Sequence, residues 1–449
     1  MKKIFYLLCL ALLVLAGCKK SDVESNFEKS PEERMADAIA LVNNTLTSAP
    51  NGWIATLPTS AGGGYGFYMN FNASQKVTMY SDISDAGAST GAESTYRVTT
   101  GSGAMLAFDT YNFISMLQDP KASVLGGVQG SGFSSDVEFT YVRSTADSLI
   151  MVGRQFRQPL LMVKATAAQK AAFLAGEYKT AIDKFKSFFS TIKYPYIEIV
   201  SGSATLKAGI AVNVTNNMTA GKRVSFTGVL EDNKTVLGGN SKFAFTLAGA
   251  DLLGSGLVYN GIKFVRFAWK DATTLAVYDS AGKEYIVKSS PTPLTPLYLL
   301  VGAGYTLVTV PNATTYAGWG ADYVTRRATA AAAMLNGGYA LRLEQMAYTF
   351  NNTTKKLTLK VNMPQNATQY VGTINYTYTR TDDGIFKFTY VDADGNGAII
   401  VPFMAALLGQ RLNVDTFTVD YLTDPVTGGL FAQFKSIQNP TFTFSGVLQ

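Results

Sequence analysis

The chain has 449 residues, with 38 Lys and Arg against 32 Asp and Glu, two cysteines and no histidine. Its formal charge of +6 is spread along the chain without a Lys/Arg block, which argues against a nucleic-acid surface. The missing imidazole excludes Ser-His-Asp and Cys-His catalysis and His-ligated zinc or haem; carboxylate pairs, Ser-Lys arrangements and oxygen-ligated calcium remain.

Lys2 and Lys3 precede an unbroken apolar run from Ile4 to Leu15, which leads into Ala16-Gly17-Cys18. A charged start, a short apolar stretch and small residues before a cleavage point are the parts of a secretory signal. A run of about 12 apolar residues is too short to span a bilayer. Leu15-Ala16-Gly17-Cys18 resembles the lipobox of bacterial lipoproteins, in which the cysteine is diacylated and becomes the new N-terminus. Residues 1–17 are therefore expected to be removed and Cys18 to carry the lipid. Residues 18–29 then form a flexible tether. The tether is similar to the acidic tags that send Bacteroidota lipoproteins to the outer face of the outer membrane, with Lys19, Lys20 and Val23 interrupting the acidic run. That resemblance implies a lipid-anchored, surface-exposed protein rather than one facing the periplasm. With Cys18 acylated and Cys9 discarded, no thiol is left for a disulfide, a metal or a nucleophile.

Ser30-Pro31-Glu32-Glu33 opens the folded part as a capping box with proline at the first helical position. Met35, Ile39, Val42 and Leu46 continue it as an amphipathic helix. From Trp53 the period changes to two. Strands are predicted at Tyr65–Phe71 and Lys76–Tyr80 around an Asn72–Gln75 turn, and further short strands run to Val163. Residues 30–165 thus read as a helix plus a β domain. Thr166 to Gln169 is a second capping box, and the apolar spacing predicts one connecting helix over 166–192. Strand patterns fill 193–290 as a second β region. Three prolines between Pro291 and Pro296 then mark a boundary, and 291–449 reads as a C-terminal β region packed with 193–290. It carries an Ala-rich helix near Tyr323–Leu335. The fold class is mainly β: two antiparallel sandwich- or barrel-like regions, lipocalin-like barrels among the options, with a few helices and a joining helix.

Short echoes recur. Phe71–Thr78 is similar to Phe350–Thr358, Phe243–Thr246 to Phe386–Thr389, and Phe226–Leu230 to Phe444–Leu448. A repeated β-module and shared strand-turn composition both account for them.

Asp392, Asp394 and Asn396, with Gly397 after them, match the opening of an EF-hand calcium loop, but Phe403 stands where its bidentate Glu belongs. A turn uses the same residues. Gly62-Gly63-Gly64 lacks the Lys-Ser/Thr of a phosphate loop. Trp319 in Tyr316-Ala317-Gly318-Trp319-Gly320 reads as an exposed loop aromatic able to stack on a ligand. Tyr65 and Phe67 are further candidates, weighed against cross-strand packing.

Taken together, the lipobox, Ser30–Arg34, Asn51-Gly52-Trp53, Gly64–Met69, Val77–Asp82 and Phe108–Tyr111 resemble a Bacteroidota lipoprotein family designated domain of unknown function 4302, over nearly the whole mature chain. The family supplies no active-site residues. Its members tend to be encoded beside SusD-like lipoproteins and TonB-dependent transporters, which implies nutrient uptake with those two as partners. The expected function is a non-catalytic accessory or binding lipoprotein for glycan or peptide, with no catalytic residues and no cofactor beyond the calcium option. Two alternatives stay open: a barrel carrying an apolar ligand, and a carboxylate-pair hydrolase.

Overall fold

The structure, a computed structural model, describes residues 29–449 except 217, 219, 220, 233, 234 and 425. The signal, Cys18 and nearly all of the tether lie outside the described residues. Among the described residues four helices have eight or more residues: α1 (Pro31–Thr47), α2 (Ala167–Leu174), α3 (Glu177–Thr191) and α4 (Ala321–Asn336). Ser30 and Glu33 form the expected capping box of α1. Thr166 and Gln169 do the same for α2. The single helix expected over 166–192 is two, because Gly176 adopts the left-handed conformation (φ +76°) between them. No helix among the described residues is long and apolar enough to cross a membrane.

Besides shorter helices and loops, the remaining elements are antiparallel strands, and the fold is mainly β and barrel-like as the periodicity predicts. The first sheet comprises β1 (Trp53–Pro58), β2 (Gly64–Phe71), β3 (Lys76–Ser81), β4 (Ala92–Thr100), β5 (Ala104–Phe108), β6 (Glu138–Ser144), β7 (Ser148–Gly153) and β8 (Pro159–Lys164). β8 pairs back on β1, with Ile54 opposite Val163 and Thr56 opposite Leu161, so the barrel closes. Strand alternation sends Tyr65, Phe67 and Met69 inward, across from Leu57, Ala55 and Trp53. These six, with Phe139, Leu149, Met151 and Met162, fill the interior.

The middle sheet comprises β9 (Pro195–Ser201), β10 (Ala204–Asn213), β11 (Arg223–Val229), β12 (Val236–Thr246), β13 (Gly249–Leu252), β14 (Leu257–Tyr259), β15 (Ile262–Trp269), β16 (Leu275–Asp279), β17 (Glu284–Ile286) and β18 (Lys288–Ser289). β13 and β14 both pair with β15, one strand broken at Leu253–Gly256. β17 pairs with β16 and β18 with β9, so the run from 284 to 289 spans both edges and nearly closes a second barrel. Helix α3 lays Tyr178, Ile182 and Phe185 on this core; the Phe185 ring lies 5.6 Å from Phe245 and 5.8 Å from Phe267.

The third sheet comprises β19 (Leu307–Val310), β20 (Met346–Asn351), β21 (Lys356–Asn362), β22 (Val371–Arg380), β23 (Ile385–Ala393), β24 (Thr416–Thr423), β25 (Leu430–Ser436) and β26 (Thr443–Leu448), again closed. Its core is its own, with Phe434 and Phe444 stacked at 4.7 Å and Tyr323 of α4 against Phe444 at 5.2 Å. The sequence reading pairs 193–290 with 291–449. In the structure the middle sheet instead shares one apolar core with Tyr68 and Tyr80 of the first barrel, because β2 presents glycines on its outer face where the two backbones meet.

One echo has a structural counterpart. Phe71–Thr78 and Phe350–Thr358 are the hairpins between the second and third strands of the two closed barrels. In both, an Asn side chain caps the turn: Asn72 accepts from Ser74 N–H, and Asn351 from Thr353 N–H. Gln75 and Lys355 take φ of 58° and 54°. A fourth-strand tyrosine donates to the Asn carbonyl in each, Tyr96 at 3.0 Å and Tyr378 at 3.2 Å. The other two echoes fall on strands at different positions in their sheets.

Candidate binding cleft

The outer face of β2 decides how the first two barrels meet. A Cβ on Gly64 would stand 2.8 Å from Phe243 O, and one on Gly66 would stand 2.7 Å from both Phe245 O and Tyr178 Oη. The glycine run that superficially suggests a phosphate loop is therefore a contact surface, and Gly63 faces Lys222 in the same way. Tyr68, two residues on, stacks on Phe173 of α2 at 4.9 Å.

An ion pair sits in this junction. Lys222 Nζ is 2.6 Å from Asp82 Oδ2, with side chains 1% and 0% exposed. Asp82 also accepts from Gly66 N–H (3.0 Å) in its own barrel and from Phe245 N–H (2.9 Å) in the other. The ammonium lies 4.1 Å from the Phe245 ring centroid. Burial holds Lys222 below the usual lysine range, against the pull of Asp82. Arg223 Nη2 donates to Gly62 O at 3.0 Å, and Lys242 Nζ donates to Thr59 O and Ser60 O. Charge is spent here on fixing two barrels together.

Beside the junction the barrels diverge around two adjoining hollows of about 430 and 510 Å³, which share Ile54, Thr56, Gln169 and Asp251. One wall is the outer face of β1, β7 and β8: Ile54, Thr56, Ile150, Leu161 and Val163. The other is the middle sheet, where Asp251 and Arg266 are register partners. β15 bulges between Phe264 and Arg266 opposite the break at Leu253–Gly256, and Val265 at the bulge lines the cleft. Leu161 and Val163 are exposed, and Lys164 and Arg266 add positive charge. The cleft is thus apolar, with aromatic residues (Phe173, Tyr178, Phe245, Phe267) lining the first hollow and mainly aliphatic ones the second, and it carries one acid and two bases, suited to an amphipathic ligand.

Burial raises the Asp251 carboxyl above the usual range, with Arg266 opposing. A carboxyl with a raised folded-state pKa costs stability once ionised, and that cost is absent below its unfolded value, about 3.9. Asp251→Asn should therefore raise the melting temperature at pH 7, and the gain should shrink as pH falls through the raised pKa. Melting curves at pH 7 and pH 4 check this; a variant less stable at pH 7 would contradict it.

Of the sequence candidates only Phe67 borders the cleft, and its side chain belongs to the first barrel's core. Tyr65 and Phe67 are 0% and 1% exposed inside the first barrel, because strand alternation aims them at the lumen. Trp319 is not an exposed loop ring: it is half-buried against the third core, its Nε1 donates to Ser445 O (3.0 Å), and it meets Tyr323 edge-on at 5.0 Å. Asp392, Asp394 and Asn396 are each hydrogen-bonded within the fold. Asp392 accepts from Asn375, Asp394 caps the short helix Gly395–Ile400 through Gly397 N–H (2.6 Å), and Asn396 donates to Val371 O. Among the described residues no group of three or more Asp or Glu has metal-holding geometry. Sequence reasoning missed Asp82, Lys222 and Asp251, since residues 140 apart carry no local sign of pairing.

Barrels joined through a glycine-lined contact, with a cleft at their junction, define this as a multi-barrel β protein. The chain belongs to the family described as Domain of unknown function (DUF4302), which matches residues 23–271, more than half of the chain. The match covers the first barrel and the middle sheet to β15 and stops short of the C-terminal barrel, which narrows the whole-chain resemblance expected from the sequence. No curated protein matches the chain.

Proposed function

We propose that this is a lipid-anchored, non-catalytic binding protein on the outer membrane of a member of the Bacteroidota, an accessory of nutrient uptake that holds glycan or peptide. The observation that carries the reading is the inter-barrel cleft, an open groove with aliphatic and aromatic walls and a few fixed polar groups. Asp251 is the one carboxylate among the residues lining its two hollows, whereas hydrolysis by a carboxylate pair needs two facing each other. The absence of histidine points the same way. The lumen of the first barrel is occupied by Trp53, Tyr65, Phe67 and their neighbours, which favours the cleft over an apolar carrier site. The lipobox at Cys18 supports the anchor. A SusD-like lipoprotein and a TonB-dependent transporter are the proposed partners.

The test is calorimetric titration of the mature chain with neutral oligosaccharides and short peptides, combined with fractionation of cells. Leu161→Glu with Val163→Glu should weaken peptide or glycan binding at least about tenfold while leaving the fold intact, since both side chains are exposed. Cys18→Ser should move the protein from the membrane to the soluble fraction without changing that binding. Failure of every ligand in both classes to bind sinks the binding function; a Cys18→Ser protein still held by the membrane sinks the anchor.

A further inference from the structure

The C-terminal barrel has a second surface that the cleft reading does not use. β20 begins at Met346, β21 ends at Asn362, β22 begins at Val371 and β23 ends at Ala393, so antiparallel order brings three connections to one end of the barrel. These are residues 337–345 after α4, residues 363–370, and the short helix Gly395–Ile400. They enclose a shallow hollow of about 170 Å³ lined by Tyr339, Leu341, Met363, Gln365, Tyr370, Asn396 and Ile399.

Its chemistry differs from the cleft's. Tyr339 and Tyr370 are 53% and 38% exposed, in a molecule whose other aromatics mostly pack inward. Two amides stand between apolar floor residues, and no charged side chain lines the hollow. The amides are fixed: Gln365 Nε2 donates to Tyr339 O at 2.7 Å, and Asn396 Nδ2 to Val371 O at 3.0 Å. Each therefore keeps its carbonyl oxygen as an acceptor. The loops are tied together as well, by Arg342 N–H to Pro364 O (3.1 Å) and Met363 N–H to Tyr370 O (2.9 Å). Ala340 and Asn366 are held at φ of 47° and 50°, a conformation that costs energy at alanine and persists only where the surroundings impose it.

We infer that this end of the C-terminal barrel is a carbohydrate-binding site for a neutral saccharide. A sugar ring presents C–H faces to aromatic rings and hydroxyls to amides and tyrosine hydroxyls, and a lining without charge selects against acidic or basic ligands. Rigid tyrosines supply such contact at little entropic cost. A short peptide would find no charged partner here for its termini. The inference stands whether or not the cleft binds anything.

The experiment titrates the full mature chain with maltohexaose, cellohexaose, xylohexaose, mannohexaose and chitohexaose, and runs affinity electrophoresis in the matching polysaccharides. At least one of these should bind. Tyr339→Ala and Tyr370→Ala should each weaken it about tenfold or more, and together should abolish it, with melting temperature unchanged because both rings are exposed. Tyr111→Ala, an exposed tyrosine of the first barrel, should bind as wild type. The inference is overturned if none of the five saccharides binds, or if the double variant binds normally. Saccharide binding that is lost with Leu161→Glu and Val163→Glu but kept in the double tyrosine variant equally overturns it, since that would put the sugar in the cleft alone.

Discussion

Asp82→Ala is expected to destabilise the first two barrels together by about 3–5 kcal/mol, the cost of leaving a buried charge without its partner. The carboxylate serves both barrels at once: it accepts from Gly66 N–H on one side and from Phe245 N–H and Lys222 on the other. Its loss orphans two backbone donors and an ammonium that water does not reach. Lys222, already held low by burial, would shed its proton and with it the attraction to the Phe245 ring. Adding Lys222→Met should recover the ionic part of the loss and not the part from the two N–H groups, which remain unsatisfied. The C-terminal barrel has a separate core, so urea unfolding followed by hydrogen exchange should show it unshifted while both other sheets lose protection in step. Equal shifts in all three, or a change under about 1 kcal/mol, would refute this account.

Much of the architecture is legible in the sequence because it is local. Ser30 with Glu33 and Thr166 with Gln169 cap the helices they announce, and Asn72–Gln75 turns where its composition says. Alternation predicts that half of the aromatics point inward, but it does not say which half. Tyr65 and Phe67 went to the lumen, and Gly64, Gly66 and Tyr68 to the outer face, because a neighbouring barrel covers that face. Burial on both sides of β2 is a tertiary fact. Gly176 shows the opposite failure: the apolar spacing runs on through it, while its left-handed backbone stops the helix. Trp319 is a loop residue, as its flanking glycines suggest, but those glycines let the chain lie close, so a Cβ on Gly320 would stand 2.2 Å from Thr441 O and the ring is half-buried. The cleft was not legible at all. Ile54, Leu161 and Asp251 share a space only because β1 closes on β8 and the second barrel docks beside them.

The glycines that permit this docking give the second large expectation. Gly66→Val should cost at least about 1–3 kcal/mol, the range for forcing extra atoms into a packed site, and more if the barrels separate. The new side chain would be aimed at Phe245 O and Tyr178 Oη, both about 2.7 Å from its Cβ. Neither yields cheaply. Phe245 is ladder-bonded in β12, and Tyr178 Oη is itself bonded to Phe245 O at 2.9 Å in a buried setting. Relief requires β2 to move away from β12, which also lengthens the bonds from Asp82 to the far barrel. Gly66 lines the cleft as well, so the same movement alters the spacing between Ile54 and Thr56 on one wall and Asp251 and Arg266 on the other. Ligand binding in the cleft should therefore fall together with stability. Saccharide binding at Tyr339 and Tyr370 should not change, because the C-terminal barrel takes no part in that contact. Gly66→Ala, smaller by two methyl groups, should fall between wild type and valine in both measurements. A valine variant of native stability would mean that the two barrels are not held by backbone approach at β2, and the cleft would then have no fixed shape to select a ligand.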